Sequence, residues 1–393
     1  MNSELSVGSS LAVYRTAWIV TAIFMLSNAA TPLYGMWQQS LGFTSGVLTV
    51  IFACYIAGLL MTLTIAGQLS DHFGRKALLV PCVGLAIIAA VLFDNASSIG
   101  ALLLARFLTG VSVGLVVSGG MANVVEHALP HQKQFASLMA SVAMVAGAGT
   151  GPLLAGVVAQ YFPSPIHIVF RIEIGVLCLA FIVLLFQGNN RTGFGPIKLR
   201  LPSIPKPNVA LVIVGVTFFG PGITSTSFIL SLGPKLIGTF VGTNNPLISG
   251  CMAFAMFLTA MGVQFAAKRF ASHDVFIGSG VATVLSMIFV LTSLEMGSAV
   301  WLVLSALLAG AGQGLGQLGG LTLIAENVPA SRRAEANAVF NIGGYVPAGA
   351  IPVMAGYLID FWGMEFGVSL LAVTIGGLAT LALIQLRTGG RAR

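Results

Sequence analysis

Apolar residues in this chain run in long unbroken stretches; they neither alternate with polar residues nor keep to one helical face. Twelve stretches of about 20 residues, the length that crosses a bilayer as a helix, lie near 16–37, 46–69, 77–95, 99–124, 134–160, 166–187, 209–232, 245–268, 274–294, 298–325, 334–358 and 365–386. A barrel strand needs a period of two, so the pattern predicts spanning helices. Polar positions gather in short connections with one exception. Residues 188–208 carry Pro196, Pro202, Pro205 and Pro207 among Arg191, Lys198, Arg200 and Lys206, the composition of a linker. The expected domains are therefore a six-helix bundle over 1–187, a cytoplasmic linker over 188–208 and a second six-helix bundle over 209–393. The first span is long, follows a polar tail and precedes further spans, so no cleaved signal is expected.

The pattern repeats at an offset near 200 residues. Glu126, Pro130, Lys133 and Gly151-Pro152-Leu153-Leu154-Ala155-Gly156 recur as Glu326, Pro329, Arg332 and Ala350-Ile351-Pro352-Val353-Met354-Ala355-Gly356. Two related helical halves are a construction that alternating-access carriers use.

Composition strengthens the membrane expectation. Hydrophobic residues make up 56% and charged ones 7%, against roughly 25% charged in soluble domains, and mean hydropathy is +0.97. Orientation follows from the cations. With both termini in the cytoplasm, Arg15, Arg75, Lys76, Lys133, the four linker cations, Lys268, Arg269, Arg332, Arg333, Arg387, Arg391 and Arg393 lie inside, fifteen of eighteen, as the positive-inside rule requires. The +7 charge is then met by anionic headgroups and needs no nucleic acid. Trp37, Trp301 and Trp362 fall at predicted outer ends and Trp18 near an inner end, the places of aromatic belts. Cys54, Cys82, Cys178 and Cys251 all lie in apolar runs without ligand spacing and read as buried apolar residues. His127 and His131 stand four apart, but a solvated loop explains them better than a metal, and none is expected. With no phosphate-binding Gly-rich loop and no nucleophile or cofactor constellation, ATP-driven transport and enzymatic activity are not expected.

Residues Gly67-Gln68-Leu69-Ser70-Asp71-His72-Phe73-Gly74-Arg75-Lys76 resemble the loop between helices 2 and 3 of the major facilitator superfamily; only His72 departs from a usual basic residue. The resemblance implies the all-α, twelve-helix fold of two pseudo-symmetric bundles. Chemically, Asp71 can pair with cations or accept from a helix N-terminus, Gly74 permits a tight turn, and Arg75 and Lys76 face headgroups. Such a cluster is either a gating latch or a topology anchor. Its repeat has Ala267 and Ala271 in place of Gly67 and Asp71, so one half alone keeps it. Gly147-Ala148-Gly149-Thr150-Gly151-Pro152-Leu153-Leu154-Ala155-Gly156 is similar to the helix-5 motif of the antiporter branches, with Ala155 where glycine is common. Small residues let helices pack backbone to backbone, and Pro152 removes a helix bond, so Gly151 and Pro152 bear on conformational change or on packing alone. Arg106, after Leu103-Leu104-Ala105 and before Gly110, partly matches the helix-4 arginine motif, with Thr109 and Ser112 as departures.

Arg106 lies about 10 Å into span four at 1.5 Å per residue. An arginine there faces a cavity or partner, or snorkels to the interface. Glu173 is the one carboxylate placed well inside a span if helix 6 begins near 166; a later start puts Arg171-Ile172-Glu173 in the interface. An embedded carboxylate can carry a proton, which makes Glu173 the coupling candidate and an Arg106–Glu173 pair conceivable. Other cavity candidates are neutral or aromatic. Asn28, Thr31, Gly35 and Gln38 share one face of span one at 100° per residue, with Tyr34 nearby; Gln313 and Gln317 lie one turn apart; Asn337, Asn341 and Tyr345 repeat every four residues. Interhelical hydrogen bonding explains such stripes equally well. Thr224-Ser225-Thr226-Ser227 after Pro221-Gly222 reads as a flexible gate, and Glu126 and Glu326 as structural ion-pair partners of loop cations such as Lys133 and Arg332. The resemblance implies an inner-membrane carrier, acting as a monomer with a small organic substrate, protons and lipid as partners, that exports its substrate against protons. The alternative is import or symport of an anionic or zwitterionic metabolite held by Arg106.

Overall fold

Continuous apolar runs of this length satisfy every backbone group internally only as helices, and helices are what form. The structure, a computed structural model, describes residues 10–66, 69, 73–187, 204, 206–242, 245–329 and 332–389. Among them are twelve helices long and apolar enough to cross a membrane: α1 (Leu11–Leu41), α2 (Ser45–Leu63), α3 (Arg75–Asp94), α4 (Ile99–Glu126), α5 (Lys133–Tyr161), α6 (Pro165–Leu185), α7 (Lys206–Val241), α8 (Pro246–Ala267), α9 (Ser272–Met296), α10 (Ala299–Asn327), α11 (Arg333–Trp362) and α12 (Met364–Thr388). No strand occurs among the described residues.

Local chemistry sets the ends. Gly42, Gly242 and Gly297 follow α1, α7 and α9 in the left-handed conformation, which glycine adopts without a Cβ penalty. Ser98 accepts from Ala101 N–H at 3.3 Å to start α4, and Asn245 accepts from Ile248 N–H at 3.1 Å to start α8. Local departures occur at a 3-10 turn at Thr31–Leu33 in α1, a π turn at Val116–Gly120 in α4 and a 3-10 turn at Lys206–Asn208 that opens α7.

The chain divides into two compact units. One comprises Met1–Ala30 with Ala57–Leu201; the other comprises Thr31–Ile56 with Pro202–Arg393. In the first, α1 packs on α5, and α3 packs on α4 and α6; in the second, α7 packs on α11, and α9 on α10 and α12. The repeat in sequence is thus a repeat in packing. Glycine ridges bring the helices close. A Cβ at Gly310 or Gly314 of α10 would overlap the carbonyl oxygens of Met256 or Ala260 on α8, and one at Gly114 of α4 would lie 3.1 Å from Leu59 O on α2. Such close packing is what joins helices in lipid, where apolar surface gains little by association.

Three expectations are corrected. Trp37 is 2% exposed and stacks at a tilt on Tyr34, 5.9 Å between centroids, so it is a core residue and not part of a belt. Cys178 and Cys251 are exposed on their helices and are not core residues. Hydrocarbon and protein interior are equally apolar, so hydropathy does not separate the two. The 3-10 turn at Thr31–Leu33 winds at three residues per turn, which breaks the single 100° face drawn through Asn28, Thr31, Gly35 and Gln38.

Candidate functional site

In the first unit the polar candidates converge on α4. Arg106 is fully buried, and its Nη1 donates to Ser27 O on α1 at 2.5 Å. Ser27 Oγ in turn accepts from Asn28 Nδ2 at 3.0 Å and donates to Phe24 O at 2.6 Å. The guanidinium therefore meets the carbonyl of an α1 residue whose side chain in turn bonds Asn28. Snorkelling is excluded by that burial. Ser27 was not singled out by sequence reasoning; its buried hydroxyl beside Asn28 was the available signal.

Glu173 lies eight residues after Pro165 and is fully buried. It shares its stripe with Val169, Phe170, Leu177, Ala180 and Leu184, all buried, and Phe170 stacks on Phe93 of α3 at 4.9 Å. Among the described residues neither carboxylate oxygen has a hydrogen-bond partner, and Glu173 forms no ion pair with Arg106. Arg171, two residues away, points outward to Asp94 at 3.7 Å, and Asp94 also meets His167 Nδ1 at 2.7 Å. The Arg171-Ile172-Glu173 run is thus split by helical phase, an exposed cation beside a buried acid.

At the start of α3, Gly74 has φ 86°, a value that favours glycine. Arg75 Nε meets Glu126 Oε1 at the end of α4 at 3.0 Å. Lys76 Nζ donates to Leu185 O at 2.8 Å and Gln187 O at 2.6 Å, and Asn123 Nδ2 donates to Gln187 Oε1 at 3.2 Å. Lys76 so caps the C-terminal carbonyls of α6, the orphans every helix leaves. Gly67 and Asp71 lie outside the described residues. Glu126 pairs with Arg75, not with Lys133. Glu326 is exposed and, among the described residues, forms no ion pair; Arg332 instead meets Glu335 at 3.2 Å.

Along α5, Gly147 and Gly151 seat on α1. A Cβ at Gly151 would overlap Met25 O and lie 2.9 Å from Met25 C; one at Gly147 would overlap Thr21 O. The helix continues through Pro152 to Tyr161.

In the second unit Thr31 and Tyr34 are each 1% exposed. Gln317 Oε1 accepts from Gln264 Nε2 at 3.4 Å, and Asn341 Nδ2 donates to Asn337 O at 2.9 Å. Tyr345 meets Phe219 edge-on at 6.0 Å, and Phe219 stacks on Phe340 at 4.8 Å. The α7 run Thr224–Ser227 is entirely buried in an unbroken helix: Thr224 donates to Gly220 O at 2.7 Å and Ser227 to Ala348 O on α11 at 2.6 Å. In this unit Thr31 Oγ1, Gln313 Oε1 and Asn337 Oδ1 are buried without a hydrogen-bond partner among the described residues. Buried polar atoms of this kind are met by a ligand or by water. Among the described residues no group of three His, Cys, Asp or Glu could hold a metal ion.

Twelve helices long and apolar enough to cross a membrane among the described residues, with repeated packing in each unit, define a multi-pass membrane protein. The Major Facilitator Superfamily profile matches residues 16–233, more than half of the chain, and the chain belongs to that family. It is 25% identical over 218 residues to the quinolone resistance protein NorA of Staphylococcus aureus, covering 54% of this chain and 52% of that one. It is 29% identical over 113 residues to an uncharacterized transporter of Rickettsia felis, covering 27% and 28%. The chain spans about half the length or less of these curated relatives. The fold is that of the nucleoside transporter NupG (TM-score 0.72, 11% identity, 96% of this chain and 99% of that one). It is likewise that of a bacterial homologue of the lysosomal transporter Spinster (0.73, 13%, 97% of each) and of a POT family transporter (0.75, 14%, 96% of each).

Proposed function

We propose that this carrier exports a small organic molecule across the inner membrane by alternating access, in exchange for protons, with both termini in the cytoplasm. The observation that carries the reading is Glu173: a carboxyl group fully buried in an apolar stripe, without a hydrogen-bond partner among the described residues. A carboxyl group at such a place within a span is suited to carrying a proton. The antiporter-type run at 147–156 and the similarity to a quinolone resistance protein support outward drug transport. In this reading the halves 1–187 and 209–393 move as bodies. Asn28, Thr31, Tyr34, Arg106, Gln313, Gln317, Asn341 and Tyr345 contact substrate, while Gly67, Asp71, Gly74, Arg75, Lys76, Glu126, Gly151, Pro152 and Glu326 serve the gating movement. The test is transport of a panel of cationic dyes and carboxylated metabolites in oriented proteoliposomes under an imposed pH gradient. Wild-type protein drives dye against protons, and Glu173→Gln retains binding but loses the response to the gradient; equal gradient response in Glu173→Gln removes Glu173 from the coupling.

A second reading, import or symport of an anionic or zwitterionic metabolite, is favoured by the fully buried Arg106, whose planar guanidinium suits a carboxylate or phosphate. Arg106→Ala then abolishes uptake of carboxylated metabolites and leaves cationic dyes unaffected. Unchanged affinity and flux for every member of the panel sets this reading aside.

A further inference from the structure

A cavity of about 260 Å³ lies between α7, α11 and α12, within the second unit. None of the residues assigned above to substrate lines it. On α11 the lining residues are Gly343, Pro347 and Ile351, which recur every four positions. Asn341 and Tyr345 stand two positions off that stripe, about 200° round a helix of 3.6 residues per turn, and so face the other side of α11. On α12 the lining includes Leu378 and Leu381, 45% and 56% exposed, so the cavity is open along that helix. None of the residues lining it is charged.

Two prolines set the polar character of this space. Pro221 in α7 and Pro347 in α11 lack the N–H that a helix directs to the carbonyl four residues earlier. The carbonyls so freed belong to Thr217 and Gly343, and both residues line the cavity. Pro352 frees Ala348 O in the same way, but that carbonyl accepts from Ser227 Oγ at 2.6 Å. Among the described residues no side chain does the same for Thr217 O or Gly343 O. The threonine hydroxyls there are already spent as donors, Thr217 on Val214 O at 2.8 Å and Thr224 on Gly220 O at 2.7 Å. Apart from the exposed amide of Gln385, the cavity therefore offers acceptors in an apolar wall, and a polar atom so placed calls for a donor. We propose that this cavity is a second ligand site, for a compact, uncharged, lipophilic molecule with one hydroxyl donor, a phenol or a small alcohol. Its hydroxyl donates to a proline-freed carbonyl and its apolar body fills the space beside Ile351, Ile375 and Leu378. An anion finds no cation in the lining, and a bare acyl chain leaves the carbonyls unmet. The volume falls just below the roughly 300–1,000 Å³ of drug-sized pockets, which suits one small ring system. The site depends neither on protons nor on the direction of transport.

The test is photolabelling of the purified full chain in detergent with a diazirine-bearing benzyl alcohol, the labelled peptides being identified by mass spectrometry. The competitors are 2-naphthol and 2-methoxynaphthalene, which keeps the rings and loses the donor. Label is expected on the stretches of α7, α11 and α12 that line the cavity, with 2-naphthol competing about two- to tenfold better than its ether, the scale of one neutral hydrogen bond. Pro221→Ala combined with Pro347→Ala returns both missing N–H groups, and is expected to erase that preference while the label persists. Gly220→Leu adds bulk where a Cβ meets only Pro347 Cγ, at 3.8 Å, and is expected to abolish the label; Leu378→Trp, at the open side, serves if Gly220→Leu does not fold. Label on other helices, or label that survives the filling variant, overturns the site. Equal competition by the ether, or a preference that survives the double proline variant, overturns the assignment of a donor ligand and leaves a groove for acyl chains. Because no transport is measured, failure here is distinct from failure of the proton-coupling reading.

Discussion

Replacing Gly151 by alanine adds one methyl group to the tightest helix contact in the first unit. That methyl overlaps Met25 O and stands 2.9 Å from Met25 C and 3.3 Å from Ala29 N, where carbon atoms prefer about 3.5–4.0 Å. Backbone atoms on α1 cannot rotate aside as a side chain would, so α1 and α5 must part by roughly 1 Å, a gap that forfeits about a quarter to a half of each pairwise attraction along the contact. Helices in lipid are held largely by that attraction, and overpacking of this kind costs about 1–3 kcal/mol. The control is Gly175→Ala on α6, where a Cβ meets nothing within 4 Å and the helix gains from losing a glycine. Apparent unfolding midpoints in detergent, by tryptophan fluorescence, are expected to fall for Gly151→Ala and to hold or rise for Gly175→Ala. Transport in proteoliposomes separates the two roles left open for the motif. Packing alone predicts activity that returns on cooling below the new midpoint; a part in the conformational change predicts a rate that stays low. Equal midpoints for the two variants refute the argument.

Lys76→Met strips a charged donor from two carbonyls that end α6, whereas Arg75→Gln loosens a half-exposed pair with Glu126, worth less than about 1 kcal/mol. Lys76→Met is therefore expected to lower the midpoint more than Arg75→Gln, and the reverse order argues against the capping role. Ser227→Ala removes the 2.6 Å bond to Ala348 O between α7 and α11. Interhelical bonds in membranes average about 0.6 kcal/mol, so a shift of no more than a few degrees is expected; loss of folding contradicts that scale. Trp362→Ala, at an exposed ring on the end of α11, is expected to leave the midpoint nearly unchanged, whereas Trp37→Ala, fully packed, lowers it by the equivalent of about 3–5 kcal/mol; similar shifts for both would refute the placement of Trp37 in the core.

The twelve spans, the 200-residue repeat and the loop and helix-5 motifs could all be read along the chain, because hydropathy is a local sum and a spanning helix satisfies its own backbone. Arg106 and Glu173 were also visible, since charge inside an apolar run is conspicuous in one dimension. Their partners were not. Arg106 meets a carbonyl 79 residues away, and nothing local marks Ser27 O as different from its neighbours. The face drawn through α1 failed because the 3-10 turn at Thr31–Leu33 changes the residues per turn.

What the sequence by itself determined is the number and extent of the helices, the duplication and the family. The tertiary structure alone decided which apolar face meets lipid and which meets protein, since both surroundings accept the same side chains; Cys82 is buried while Cys178 is not. It also decided the polar pairings, Asp360 with the start of α2 across 315 residues among them. A hydrogen bond depends on distances of about 3 Å, and such distances between remote residues exist only once the helices have packed.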